Sequence, residues 1–307
     1  MNDISWVCYP TFRAVLRTGS LSAAARDLAI TQPTAGRHVE ALEQALGYAL
    51  FTRSQQGLRP TEASLELAPY AEALAATAAA MARHATGAPS EIAGVVRISA
   101  SDVIGVEVLP PILAALQEQD PQLIIELARS DAVEDLLRRD VDIAIRMTSP
   151  SQASLVARKV GNIPLGLYAH RHYLERHGVP ATPADLSQHR LVGFDRRTPF
   201  IRIAEERIRA IAPSFPPVNQ LAWTYRADSN IAQLAAIRSG AGIGFCQVGI
   251  ARRDPELQQL LGDVLELPLE TWVVTHENLR EAPRWRATFD ALVQGLQHYV
   301  KGGRNHA

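Results

Sequence analysis

GSLSAAARDLAITQPTAGRHVEALEQALG, residues 19–47, decides the fold of the N-terminal part of this chain. Ser20 and Ser22 offer capping hydroxyls ahead of Ala23, Ala24, Ala25 and Leu28, which predicts a short helix with a small apolar inner face. Ala29 and Ile30 leave room only for a tight connection. Thr31 can cap a second helix, and Pro33 falls in its first turn, where a missing N–H costs little. Val39, Leu42 and Leu46 then follow at spacings of three and four and make one buried stripe. The remaining surface carries Gln32, Thr34, Arg37, His38 and Glu40. Two short helices joined by a tight turn, with amide, hydroxyl and guanidinium groups near the start of the second, predict a helix-turn-helix. Glutamine can bond adenine bidentately, arginine can bond guanine or phosphate, and threonine can reach either. A plain helical hairpin with a solvated polar face is the alternative.

Phe51-Thr52-Arg53 and Gln56-Gly57-Leu58-Arg59-Pro60-Thr61 follow as a small hairpin, a wing able to lay Arg53 and Arg59 on a phosphate backbone. Between residues 13 and 59 six arginines stand against three acids, a local excess of +3 in a chain whose net charge is −1. A uniformly basic coat is excluded; a basic face is not. At 307 residues, 47% hydrophobic and 21% charged, the chain has the composition of two or three globular domains. Cys8 and Cys246 are too few for a disulfide framework or a CxxC metal site. Met1-Asn2-Asp3 lacks the basic start of a signal peptide, and Leu74 to Ala82 falls far short of a membrane span, so a cytoplasmic protein is expected.

The composition changes near residue 90, where Thr86-Gly87-Ala88-Pro89-Ser90 reads as a linker. Strands are predicted at 95–99, 123–127, 141–145, 163–170, 190–195, 221–227, 243–245 and 272–275. Helices are predicted at 106–119, 133–139, 229–238 and 283–299. This alternation predicts an α/β fold with a largely parallel sheet covered on both faces.

The run Ala24-Ala25-Arg26-Asp27-Leu28-Ala29-Ile30-Thr31-Gln32-Pro33-Thr34, with Arg37, Val39, Leu42-Glu43 and Gly47, resembles the winged helix-turn-helix of LysR-type transcriptional regulators. The likeness continues through Leu50-Phe51-Thr52-Arg53 and Leu58-Arg59-Pro60-Thr61-Glu62-Ala63. Asp140-Val141-Asp142-Ile143-Ala144-Ile145-Arg146 and Ser239-Gly240-Ala241-Gly242-Ile243-Gly244 carry it more weakly into the second half. The resemblance implies a winged domain over 1–60, a linker (dimerisation) helix and hinge over 61–90, and a two-lobed α/β effector domain over 91–307, resembling periplasmic solute-binding proteins. Lobe one is expected at about 91–162 and 268–300, lobe two at about 163–267. Three departures stand out: Gly36 where the family commonly has Ser, Ser64 where it has Gly, and Pro10 where a first helix should already be running.

Tyr70, Leu74, Ala78 and Met81 form an apolar stripe on the linker helix, which Pro69 is expected to bend. The stripe packs either onto the chain's own body or, as the resemblance implies, against a second copy in a dimer or tetramer. Cleft candidates lie at strand ends and helix starts, where backbone N–H groups favour anions. They are Ser99, Ser101, Asp102, Arg129 and Arg146 on one side, and Ser229, Asn230 and Gln247 on the other. The other reading is that Ser229 and Asn230 merely cap a helix and that Arg129 and Arg146 are solvated. Asp102 is unusual in a carboxylate pocket; it either binds an ammonium or pairs with an arginine.

Other chemistry finds no support. Gly240 to Gly244 follows a helix and enters a strand, the wrong order for a dinucleotide loop. His170-Arg171-His172 lacks the partners of a metal site, no nucleophile motif appears, and neither enzymatic activity nor a cofactor is expected. The expectation is a regulator that binds double-stranded promoter DNA through Gln32, Thr34, Arg37, His38, Arg53 and Arg59, and a small anionic or zwitterionic organic effector between its lobes. The alternative is a two-lobed solute-binding protein without DNA binding.

Overall fold

A computed structural model describes residues 5–54, 57–84, 92–129, 141–149, 155–196, 199–277 and 282–304. The linker read at 86–90 and the helix read at 133–139 lie outside them. The chain divides into two units, one built mainly from residues 1–85 and one from the remainder.

The first unit opens with α1 (Cys8–Thr18), which buries Cys8, Thr11, Phe12, Ala14 and Val15. Pro10 is its third residue, inside the first turn, where no intrahelical partner is missed; the helix starts late instead of kinking. Next come α2 (Leu21–Asp27) and α3 (Gln32–Leu46). An antiparallel hairpin of β1 (Phe51–Ser54) and β2 (Gly57–Pro60) follows, and then α4 (Glu62–His84), which runs through Pro69 without a break. Two small clusters hold the unit together. Phe12, Leu42, Leu50 and Ala71 form one, and Ala14, Val15, Ala24 and Val39 the other.

The second unit is built on one seven-stranded sheet. Its strands are β3 (Gly94–Ala100), β4 (Leu123–Arg129), β5 (Ile143–Arg146), β6 (Leu155–His170), β9 (Gly244–Gln247), β10 (Leu257–Leu260) and β11 (Glu266–His276). Their order is β10-β6-β11-β5-β3-β4, with β9 also on β6. Two further strands, β7 (Arg190–Gly193) and β8 (Ala222–Arg226), pair parallel beside it. The sheet is mixed, which corrects the expectation of a largely parallel one. Among the described residues only β3 with β4 and β3 with β5 run parallel in it; every pairing of β6 and β11 there is antiparallel. The cause is the sixteen-residue β6 and eleven-residue β11, which lie side by side and connect the strands of both lobes. Their register shifts between Thr271 and Trp272, opposite Gly161. Gly161 has φ +140°, and a Cβ there would come within 2.8 Å of Val300 Cγ1, so both backbone and packing demand glycine at this bulge.

Helices cover the sheet. A π-turn at Ile104–Val108 leads into α5 (Leu109–Gln119), and α6 (Arg171–His177), α7 (Pro199–Ile211), α8 (Asn230–Arg238), α9 (Val248–Ala251) and α10 (Pro283–Arg304) follow among the described residues. One core gathers Ile98, Ile104, Leu109, Ile143, Ile163, Val273 and Leu292; a second gathers Leu167, Tyr173, Leu186, Leu191, Ile208 and Leu267.

A buried polar chain lies within that second core. The Tyr173 hydroxyl receives the Arg190 N–H (2.9 Å) and meets His189 Nδ1 at 3.3 Å, and Tyr173 stacks on His177 at 4.5 Å. Burial, and next the positive charge of His177, hold the His189 pKa below its usual 6.5, against a smaller upward pull from Asp185. A depressed histidine pKa means that protons favour the unfolded chain: the contribution of neutral His189 is complete above about pH 6.5 and is lost as pH falls below it. Melting temperatures between pH 7.5 and 5 should therefore fall less steeply in His189→Gln than in the parent chain. Equal slopes would show that His189 does not titrate on unfolding.

Candidate DNA-binding and effector sites

The N-terminal site is made by local chemistry. Ser20 Oγ accepts the Ala23 N–H and starts α2, which buries Ala24 and Ala25. The turn passes through Ala29 at φ +52°, and the Ile30 N–H closes it on the Ala25 carbonyl (3.0 Å). Thr31 Oγ1 accepts the Thr34 N–H (3.3 Å) and starts α3 with Pro33 at its head. Ala35, Val39 and Leu42 face inward, while Gln32, Pro33, Arg37 and Glu40 are exposed. The Thr34 hydroxyl is shared, 2.8 Å from Thr31 Oγ1 and accepting from Arg37 Nη2 at 3.3 Å. Gln32, Thr34 and Arg37 thus form one patch on the first turn and a half of α3.

His38 is placed differently from the other five residues read as a DNA set. It is half-buried, with Nδ1 2.8 Å from the buried hydroxyl of Thr11, so it ties α3 to α1. The wing also differs in detail. Arg53 pairs across the hairpin with Leu58, and Arg59 with Thr52, which puts the two arginines on opposite faces. Glu43 Oε1 accepts the Leu50 (2.6 Å) and Phe51 (3.2 Å) N–H groups and fixes where the wing begins. The Ser64 hydroxyl, fully buried, donates to the Leu50 carbonyl, which accounts for serine at that place. Gly36 has no such role: a Cβ there would meet only Leu21 Cδ1, at 3.9 Å.

In the second unit, the ends of β3, β4 and β5 bring together four of the residues read as cleft candidates. Arg146 is 4% exposed, not solvated, and donates from Nη2 to Ser99 Oγ (2.7 Å) and from Nη1 to the Ile145 carbonyl (3.1 Å). Asp102 accepts from Arg129 Nη1 at 3.0 Å, the arginine pairing that is one of its two sequence readings. Asp102 also accepts from Ser229 Oγ at 3.2 Å. Ser229 is the N-cap of α8, where it receives the Ala232 N–H, so a single carboxylate joins the end of β3 to the start of a helix 127 residues later. Ser101 is buried and Asn230 half-buried beside these residues in sequence. Gln247 is buried at the end of β9, and its Oε1 accepts the Tyr299 hydroxyl of α10 (2.8 Å).

Residues not singled out from sequence add an ion cluster. Arg238, at the end of α8, donates to both carboxylate oxygens of Glu107 (2.8 and 3.4 Å), and Arg253 donates to the Glu107 carbonyl (2.7 Å). The Asp142 of the weak second-half motif also finds a role. Its carboxylate accepts the Arg97 N–H (2.8 Å) while its own N–H returns to the Arg97 carbonyl, which extends the pairing of β3. Burial pushes the Cys246 thiol up to about 12, so it stays protonated. His170 Nδ1 accepts the His172 N–H and caps α6.

The two halves match two family models. One, bacterial regulatory helix-turn-helix protein of the lysR family, covers residues 9–65; the other, LysR substrate binding domain, covers 89–297. The chain belongs to the LysR family of transcriptional regulators. It is thus a DNA-binding regulator with a substrate-binding domain, which overturns the alternative of a solute-binding protein without DNA binding. It is 26% identical over 288 residues to a probable HTH-type transcriptional regulator, LtrA, of Klebsiella pneumoniae, covering 92% of this chain and 91% of that one. A Haemophilus influenzae HTH-type regulator is 27% identical over 286 residues, covering 92% and 96%. Among solved LysR-family structures, a full-length variant of AphB superimposes with a TM-score of 0.62 at 25% identity, over 94% of this chain and 98% of that one. Full-length CbnR bound to its target DNA gives 0.68 at 19% identity, over 95% and 99%, a likeness of fold. Among the described residues, no helix is long and apolar enough to cross a membrane.

Proposed function

We propose that this LysR-family chain responds to a small anionic or zwitterionic organic effector held between the two lobes, and that α4 pairs two copies. The observation that carries the effector reading is the Asp102 carboxylate, shared between Arg129 and the Ser229 cap. An incoming carboxylate has the same chemistry as that side chain. It can take over the Ser229 hydroxyl and the N–H groups at the start of α8, with Arg129 available to grip it in a fork. Buried Arg146, braced by Ser99, adds positive potential at the neighbouring strand end. Replacing the Asp102 link exchanges one inter-lobe contact for another, and so favours one lobe closure over the other.

Coupling of this kind is worth about 1–3 kcal/mol, a change in DNA affinity of roughly 5- to 150-fold. A thermal-shift screen of small organic acids, amino acids and aromatic compounds finds the effector as the compound that raises the melting temperature of the parent chain but not of Ser229→Ala. Ser101→Ala and Ser229→Ala should then each lose the effector's influence on DNA binding, while affinity for DNA without effector stays near that of the parent chain. Unaltered responses in both variants would remove the effector from this cleft.

A further inference from the structure

Lobe two contains a cavity of about 290 Å³ that is lined by none of the eight residues assigned to the cleft. We propose that this cavity is a second small-molecule site, for a planar aromatic carboxylate, independent of the inter-lobe effector. Four aromatic rings line it, Phe194, Phe215, Trp223 and Phe245, beside Leu165 and Leu267. The chain has eighteen aromatic side chains in all, so their convergence here is a feature of the fold. Protein interiors rarely leave voids larger than a water molecule, whereas ligand cavities run from about 300 Å³ upward. The size suits one ring system with a short polar arm.

The wall is built around the indole. A Cβ on Gly193 would lie 2.3 Å from Trp223 Cζ3 and 2.6 Å from Cε3, so the ring lies against the Gly193 backbone and only glycine admits it. α7 lines another part of the cavity with Ile201, Ala204 and Ile208. Its polar groups favour an acid. Four arginines line it (Arg196, Arg207, Arg209 and Arg226) against two acids, and Arg196 already faces Asp195 at 3.5 Å. Arg226 is exposed, is the strand partner of Gly193, and has no ion pair among the described residues. Its guanidinium therefore rises beside the residue that the indole covers. Gln233 also lines the cavity; its amide N–H is spent on the Ala227 carbonyl (2.9 Å), and its acceptor oxygen has no donor among the described residues. Rings fill the apolar body, a carboxylate meets Arg226 at the rim, and a hydroxyl or ring N–H can donate to Gln233.

The test uses the full chain with benzoate, 1-naphthoate and indole-3-acetate as acids and benzyl alcohol as the neutral counterpart, each titrated calorimetrically. At least one acid should bind in the millimolar range or tighter, and more tightly than benzyl alcohol. Arg226→Gln, an exposed substitution, should weaken the acid by about tenfold while leaving benzyl alcohol unchanged. Ala204→Trp should fill the cavity and abolish both, with far-UV circular dichroism to show that the variant folds. Ser101→Ala should leave the acid's affinity as it is, which separates this site from the cleft. The proposal is overturned if no acid binds, if Arg226→Gln leaves acid binding unchanged, or if Ser101→Ala removes it.

Discussion

Replacing Gln32 and Arg37 together with alanine should abolish sequence-specific DNA binding while leaving the circular dichroism spectrum unchanged. Both side chains are exposed on the first turn and a half of α3, and neither contributes to the Ala35, Val39 and Leu42 stripe that holds the helix. A side chain bonded to a base edge is worth about 1–3 kcal/mol, so the pair should cost about 2–6 kcal/mol, the upper end beyond a working binding range. The probe is a duplex selected from a random pool by the parent protein. Arg37 alone should also relax the selected sequence at one position, because its guanidinium, steadied by Thr34 (3.3 Å), would read a base there. Arg53→Ala provides the contrast: affinity should drop on every duplex alike, with a salt slope shallower by about one, as for a phosphate contact. Arg59 lies on the other hairpin face, so the two wing arginines should not act interchangeably. Full binding by the folded double variant would move recognition away from the start of α3.

The helix-turn-helix is legible in the sequence because everything that makes it is local. Caps at Ser20 and Thr31, a proline at a helix head and apolar spacings of three and four act within a few residues of one another. Most strands of the second unit are legible one by one, but β10 (Leu257–Leu260) and the first halves of β6 and β11 are not, and the strand directions are not, because pairing is decided by where the chain returns. β6 and β11 meet 111 residues apart at Lys159 and Glu270, and no local pattern announces that. His38 and Gln247 show the same limit at the level of single side chains. In the sequence each looks available to a partner, and in the fold each is engaged from another helix, by Thr11 or by Tyr299. The aromatic cavity draws its lining from residues 165 to 269 and leaves no motif. α7 is a different case: Ile201, Ala204 and Ile208 stand at helical spacing in the sequence, so its signal is present there.

Placing glutamate at both Tyr70 and Met81 should convert the protein from a dimer or larger assembly into monomers. α4 has 23 residues, about 34 Å of helix, and packs against α1 through Leu67 and Ala71 near its start. Tyr70, Leu74, Ala78 and Met81 follow at spacings of four, four and three on one face. Tyr70 is 71% and Met81 70% exposed, so this face offers its two largest side chains to water in the single chain. A second α4 laid antiparallel would cover them, with the abundant alanines permitting close approach. Full burial of a large apolar side chain is worth about 1.5–3 kcal/mol, so the four side chains of a pair supply about 6–12 kcal/mol, enough to decide association at micromolar concentration. Glutamates at those places remove that area and set like charges against a dry partner. Leu74 is half-buried within its own chain, which makes the two exposed positions the cleaner choice. Sedimentation velocity reads the outcome directly. Binding to a duplex with two half-sites should fall further than binding to one half-site, because only paired chains hold both at once. If the parent protein sediments as a monomer at micromolar concentration, or the double variant keeps the parent's mass, pairing through this face of α4 is refuted.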